Sequence, residues 1–370
     1  MRVALVHDWL TGMRGGEKVL EAICDLYPDA PLYTLVRIKG SVSATIEARP
    51  IHTSWVQRLP KAGSLYRHYL PLFPAAVEAF DLDRYDLVIS SSHCAVKSIV
   101  RGARGIHICY CHSPMRYAWD QFGAYFGPDQ VGAAASAVLR PVMAAMARWD
   151  ARTASRVDRF LANSQYVAGR IRRYYNRGST VVYPPVDTDF FQPSADRSGA
   201  TSVLVVSALV PYKRLDLAIG AARLTNIPLR IVGQGPEEAR LRRLAEGAPV
   251  EFLGWRSDDE VRTLYRSSAA VILPGIEDFG IVPVEAQACG TPVVALAEGG
   301  ATETVIDGET GALVAARSAE AFAAGVTRVL GANLDPQVIR RNSERFSKEA
   351  FRTAFTAAVE TALATRGDSQ

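Results

Sequence analysis

The amino-acid sequence predicts an α/β protein of two doubly wound, Rossmann-like domains, and three observations carry that expectation. At 370 residues the chain exceeds what one hydrophobic core comfortably holds, so two domains of ordinary size are expected. Short apolar runs recur in both halves, each ending in a small or polar cluster and separated by helical segments. That pattern belongs to parallel strands covered by helices on both faces. Between the two series, residues 189–199 are polar and turn-prone, as a linker is. The resulting division is 1–192, 193–345 and a last helical piece over 346–370.

The first series opens at residues 2–7, a β-branched and aliphatic run. Residues 11–16 (TGMRGG) follow as a glycine-rich loop, and 17–27 read as a helix with apolar Val19, Leu20, Ile23 and Leu26. Gly15 and Gly16 at a helix start let backbone amides approach a phosphate closely. The loop lacks both the G-x-G-x-x-G spacing and a following lysine, which disfavours a dinucleotide or Walker site. Further strands are expected at 87–90, 106–109, 160–162 and 181–183. Residues 56–80 and 117–146 are aromatic- and alanine-rich and suit a lid, an acceptor groove or a membrane-facing flank.

The second series places strands at 203–207, 229–232, 250–253, 270–273, 293–296 and 313–314. Ser257 with Glu260 three residues on is a capping box. The most informative stretch is 269–291, AAVILPGIEDFGIVPVEAQACGT. It reads as a buried strand, a tight acidic loop and a helix with Pro283 near its start and Gly290 just past its end. Glu277 then sits in the loop at the carboxyl end of a strand, where open α/β sheets bind ligands, and Glu285 lies further along the helix. The amides of Phe279, Gly280, Ile281 and Val282 point at that ligand. Neighbouring loops bring Lys213 and Arg214. Cations and helix amides suit a diphosphate, and carboxylates suit the hydroxyls of a ribose and a hexose. A nucleotide-sugar satisfies both sets, bound where two such loop edges face across a cleft. The last helix, 347–364, has one apolar stripe at 351, 355, 358, 359, 362 and 363 and is expected to cross back to the first domain.

Composition narrows the classes. With 48% hydrophobic and 22% charged residues and no low-complexity tract, the chain reads as a globular enzyme. The N-terminal apolar run is too short for a signal peptide, and no 18-residue apolar window occurs, so a cytoplasmic protein is expected. Five scattered cysteines are expected as buried free thiols. Cys109-Tyr110-Cys111-His112 fits no common zinc spacing, and no metal is expected. Residues 1–192 carry a net charge of +7 and the remainder −3. Arg148, Arg152, Arg156 and Arg159 recur at helical spacing, which suits either a solvated helix face or a surface meeting anionic lipid or a phosphorylated substrate. Nucleic acid is disfavoured, since no aromatic platform accompanies these charges.

In order along the chain, several segments resemble the retaining glycosyltransferases of family 4, a group of GT-B fold. Glu277-x7-Glu285 resembles that family's E-x7-E motif. Tyr212-Lys213-Arg214-Leu215-Asp216, Gly233-Gln234-Gly235-Pro236, Asn163-Ser164, Tyr183-Pro184-Pro185-Val186-Asp187 and Gly299-Gly300-x-x-Glu303 fall in the family's order. Cys111-His112-Ser113-Pro114-Met115-Arg116-Tyr117 looks like a mannosyltransferase-type subgroup of cell-surface polysaccharide assembly. The resemblance implies that Glu277 contacts the transferred sugar and that amides of Phe279, Gly280 and Ile281 hold its hydroxyls or the β-phosphate. It implies that Glu285 accepts from the ribose, Lys213 neutralises the leaving diphosphate, Gly16 lets helix amides reach it, and His112 lies beside the sugar. One departure stands out: Ala208 occupies a position where many members carry arginine, and Arg214 is the candidate to compensate.

The resulting expectation is a cytoplasmic, metal-independent, retaining hexosyltransferase. It moves a sugar from a nucleotide-sugar, GDP-mannose ahead of a UDP-sugar, to a glycan or lipid-linked acceptor, with peripheral contact to an anionic membrane left open. A GT-B-type sugar-nucleotide epimerase and a catalytically dead binding protein are the alternatives.

Overall fold

The computed structural model describes residues 1–194 and 201–367. Residues 195–199 of the expected linker lie outside the described residues. Two compact units are present: Met1–Pro185 with the chain from Phe351 onward, and Val186–Ala350.

The first unit is built on a parallel sheet of β1 (Val3–Leu10), β2 (Leu32–Arg37), β3 (Ile51–Thr53), β4 (Leu87–Ser92), β5 (Ile106–Cys111), β6 (Arg159–Ala162) and β7 (Ser179–Val181). Its spatial order is β3-β2-β1-β4-β5-β6-β7. Alternate residues of β1 feed both faces. Ala4 and Val6 pack with Val36, Val88 and Phe73, while Leu5 packs with Ile23, Ile89 and Tyr110. Burial on both faces is why this strand reads as a continuous apolar run. β2 and β3 were not among the expected strands. β3 is a half-exposed edge strand, Ile-His-Thr, with no apolar pattern to find. β7 lies two residues earlier than expected, because Pro184 and Pro185 cannot extend a ladder.

The second unit holds β8 (Val203–Val206), β9 (Leu229–Val232), β10 (Val250–Gly254), β11 (Ala270–Leu273), β12 (Val293–Leu296) and β13 (Gly311–Val314), ordered β10-β9-β8-β11-β12-β13, again all parallel. All six fall where the sequence placed them. The capping box at Ser257 and Glu260 is formed, with both reciprocal bonds present.

The last helix, Lys348–Gly367, buries Phe351, Phe355, Val359 and Ala362 among Leu5, Ile23, Tyr110 and Leu161 of the first unit. The chain therefore returns to its first sheet, which gives the periodic apolar stripe its partner surface.

Candidate functional site

Each sheet has one place where the strand order reverses direction. In the first it lies between β1 and β4, and in the second between β8 and β11. In doubly wound sheets the loops leaving neighbouring strands at such a point run to opposite sides, and the carboxyl ends there are the usual ligand site.

In the second unit those loops carry the two side chains singled out from the sequence. The loop after β8 ends in a short 3-10 turn, Pro211–Lys213, and the loop after β11 carries Glu277. Lys213 Nζ donates to Glu277 Oε1, and both side chains are mostly buried. The ammonium also lies 5.3 Å from the Tyr212 ring centroid. The helix that follows runs Ile281–Ala288, with Gly280 as its N-cap at φ +90° and no side chain capping it. Only the amides of Ile281 and Val282 belong to its first turn as donors, because Pro283 has none. Phe279 lies ahead of the helix, and its ring is buried edge-on against Phe346 at 5.3 Å.

A second glycine-rich loop holds this acidic loop in place. Gly300 N donates to Glu277 O at 2.8 Å. A Cβ on Gly300 would stand 2.3 Å from Phe279 Cα, and one on Gly299 would stand 2.4 Å from Glu277 O. These glycines serve close backbone approach, which a side chain would block.

Glu285 is buried inside the unit, where Tyr265 Oη donates to its Oε2 at 3.1 Å. Tyr265 was not anticipated, since a tyrosine at helical spacing reads as ordinary core. Arg214 takes a left-handed backbone at φ 53° and turns its guanidinium onto Asp216 through Nε at 3.0 Å and Nη2 at 2.9 Å. Ala208 is exposed at the end of β8.

In the first unit the glycine pair opens the helix Gly15–Leu26, so Gly15 and Gly16 are its first two residues. His7 and Ser91 are direct partners across β1 and β4. His7 Nδ1 lies 3.1 Å from Ser91 Oγ, and Ser91 Oγ lies 2.8 Å from His112 Nε2. Glu17, buried in the first turn of the helix, places Oε1 3.7 Å from His7 Nε2 and accepts from Arg14 N at 3.0 Å. Burial pushes the Glu17 carboxyl up, but the adjacent His7 and His93 outweigh it and hold it below the usual carboxylate range. Burial, with His93 and His7 nearby, drives His112 well below the usual imidazole range. A Cβ on Gly16 would lie 3.7 Å from His112 Nε2 and 3.8 Å from His7 Cε1, so the helix start borders both rings.

Asp8 anchors the loop after β4. Its Oδ2 accepts from the amides of His93 and Cys94, and its Oδ1 from those of Ala95 and Val96, at 2.7–3.0 Å. In the sequence it only interrupts an apolar run. Asn163 Nδ2 donates to the His112 carbonyl at 2.9 Å, and Ser164 Oγ caps the next helix by accepting from Val167 N. The Asn-Ser pair thus fixes the segment that presents His112.

Residues 37–190 match the family described as Glycosyltransferase Family 4, and residues 186–350 match Glycosyl transferases group 1. The two matches adjoin and together run from residue 37 to residue 350. D-inositol 3-phosphate glycosyltransferase of Mycobacterium sp. (strain KMS) is 36% identical over 182 residues, 42% of this chain and 41% of that protein. The protein of that name from Mycobacterium bovis (strain BCG / Pasteur 1173P2) is 34% identical over 198 residues, 47% and 41% respectively. The aligned region therefore spans about two-fifths of the length of these curated relatives. Among solved structures, Anabaena HepE in complex with UDP and glucose aligns over 97% of this chain and 99% of its own, with a TM-score of 0.72 and 21% identity. Sucrose-phosphate synthase from Thermosynechococcus elongatus aligns over 99% and 100%, with a TM-score of 0.70 and 18% identity. Both likenesses are of fold, and the fold is GT-B.

The arginine stripe expected from the sequence does not form. Arg148 and Arg152 are exposed on the helix Ala133–Thr153. Arg156 is instead paired with Glu78 and the Ser98 carbonyl, and Arg159 lies in β6, bonded to Thr365. The helix ends at Thr153, so the periodicity beyond it is accidental. Among the described residues no helix is long and apolar enough to cross a membrane. All five cysteines are buried, and none of them is joined in a disulfide.

Proposed function

We propose that the protein is a retaining hexosyltransferase that takes a sugar from a nucleotide-sugar and passes it to a glycan or lipid-linked acceptor. The observation that carries this reading is the pairing of Lys213 with Glu277 at the switch point of the second sheet. A cation suited to the leaving diphosphate stands beside a carboxylate suited to sugar hydroxyls, with the Ile281 and Val282 amides opening the adjacent helix. The first unit supplies the acceptor side through His112, and Glu285 serves the ribose.

The hard step is departure of the nucleoside diphosphate while positive charge builds on the anomeric carbon. Lys213 meets that leaving group without reorganisation, and one such fixed donor is worth ~3–4 kcal/mol in a transition state. In same-face attack, the acceptor oxygen bonds to the anomeric carbon as the carbon–phosphate oxygen bond breaks, and the departing diphosphate takes the acceptor's proton. Glu277 stays unmodified. Mass-spectrometric capture of a glycosylated Glu277 during turnover would overturn that route in favour of a covalent intermediate.

GDP-mannose is the first donor to test, from the likeness of residues 111–117 to mannosyltransferase-type enzymes. UDP and its sugars form the second arm, since HepE was solved with UDP and with UDP-glucose. A thermal-shift screen with GDP, UDP and ADP, with and without their sugars, is the deciding experiment. One nucleotide family is expected to raise the melting temperature, whereas no shift with any of them refutes the donor site. Donor consumed with no acceptor present points to epimerisation instead.

A further inference from the structure

Three side chains of the first unit are hydrogen-bonded in series, His7, Ser91 and His112, and the Glu17 carboxylate stands just beyond His7 without bonding to it. The separations are 3.7 Å from Glu17 Oε1 to His7 Nε2, 3.1 Å from His7 Nδ1 to Ser91 Oγ, and 2.8 Å from Ser91 Oγ to His112 Nε2. His7, Ser91 and Glu17 are all buried, so water cannot stand in for a missing partner. Each member has limited donor and acceptor roles. The Glu17 carboxylate, 3.7 Å from His7 Nε2, is too far to accept a hydrogen bond, but its negative charge favours the proton on that nitrogen. With the ring proton on Nε2 and none on Nδ1, Nδ1 is an acceptor and takes the Ser91 hydroxyl proton. Ser91 Oγ is left to accept from His112 Nε2–H. Among the described residues no side-chain hydrogen bond reaches His112 Nδ1, the remaining ring nitrogen.

We infer that Glu17, His7 and Ser91 act as positioning residues that fix His112 with its proton on Nε2 and its Nδ1 bare. His112 then offers an acceptor, never a donor, to a hydroxyl of the incoming sugar or acceptor. The role toward substrate rests on the transfer reaction proposed above, but the tautomer does not. The line explains why a glutamate in a helix start and a histidine inside β1 are buried together far from any apolar role. It also gives Ser91 a directional function that a packing serine lacks.

Nitrogen-15 spectra of the full chain, labelled at its six histidines and free of substrate, read the tautomer directly. His112→Gln assigns the signal. Wild type is expected to show a protonated Nε2 and an unprotonated Nδ1 for His112. Ser91→Ala is expected to mix the two tautomers, and Ser91→Thr to restore the single one. A protonated Nδ1 in the wild type, or an unchanged tautomer in Ser91→Ala, overturns the inference. Should Ser91→Ala fail to fold, the wild-type spectrum and Glu17→Gln decide alone. In turnover, Ser91→Ala should lose about tenfold in kcat, the value of one well-placed hydrogen bond, with donor KM little changed. The expected tautomer in a chain that transfers no sugar refutes the reaction and leaves the line intact. The expected tautomer with unaltered kcat in Ser91→Ala refutes the line's role toward substrate.

Discussion

Lys213 and Glu277 meet from the two loops that flank the reversal of the second sheet, one after β8 and one after β11. Neither loop is near the other in sequence. The pair satisfies both charges in a mostly buried setting, so a ligand arriving there finds cation and carboxylate already placed. Lys213→Ala should therefore lower turnover by about 10²–10³, the range for removal of one preorganised charge donor. Steady-state release of nucleoside diphosphate checks this, and circular dichroism should show an unaltered fold.

Gly300 has an ordinary φ of −66°, so only space forbids a side chain there. Gly300→Ala places a methyl 2.3 Å from Phe279 Cα, and backbone must move. Stability should fall by about 1–3 kcal/mol, as for overpacked cores, and the nucleotide-induced thermal shift should vanish. Gly308→Ala is the control. Its φ is +82° but nothing lies within 4 Å, so about 1 kcal/mol of strain should leave nucleotide binding intact.

Asp8 is buried and accepts four consecutive backbone amides. Asp8→Ala strands those donors, three of them on buried residues, and should cost roughly 3–4 kcal/mol. The urea midpoint measures it. The loss should exceed that of an exposed substitution such as Asp189→Ala by several-fold.

His107 is buried with Nε2 2.8 Å from Ser90 Oγ and Nδ1 3.3 Å from the Arg156 carbonyl, and burial pulls it down to about 4. The folded value lies below the unfolded one, so the neutral ring stabilises the fold above about pH 6.5. That contribution, on the order of 3 kcal/mol, is lost as pH falls from there toward 4. His93 and His112, also lowered, act in the same sense. Urea titrations across this window should show stability declining with acid, and His107→Phe should flatten part of the slope.

Arg148 and Arg152 are exposed on one helix of the first unit. If this face meets anionic lipid, replacing both with glutamate abolishes flotation with phosphatidylglycerol vesicles, and neutral vesicles bind neither form. Wild-type flotation that ignores lipid charge excludes the contact.

The second domain was legible almost entirely in the sequence. Its strands are short and, except for the half-exposed edge strand β10, almost wholly buried, and β9, β10 and β11 end at or beside glycine or proline, so local composition marks them. Glu277, Lys213 and the glycine pair 299–300 were visible for the same reason, because each sits at a strand end where punctuation is strong. The edge strand β3 and the broken arginine stripe were not legible. Neither is set by the local pattern: β3 pairs only because β2 is there, and the stripe ends where the helix does.

What the sequence by itself determined was therefore the sheet class, the order of strands along the chain of the second domain and which loops carry charge. Only the tertiary structure decided which charges meet. Lys213 answers Glu277 while Arg214 turns to Asp216, and Tyr265 claims one oxygen of Glu285. His7 joins Ser91 and His112 because β1 and β4 are neighbours across 84 residues of chain. Strand-forming tendency is local and short-ranged, whereas partnership between polar side chains depends on register between strands distant in sequence. That is why the scaffold could be read from the chain and the wiring of its polar groups could not.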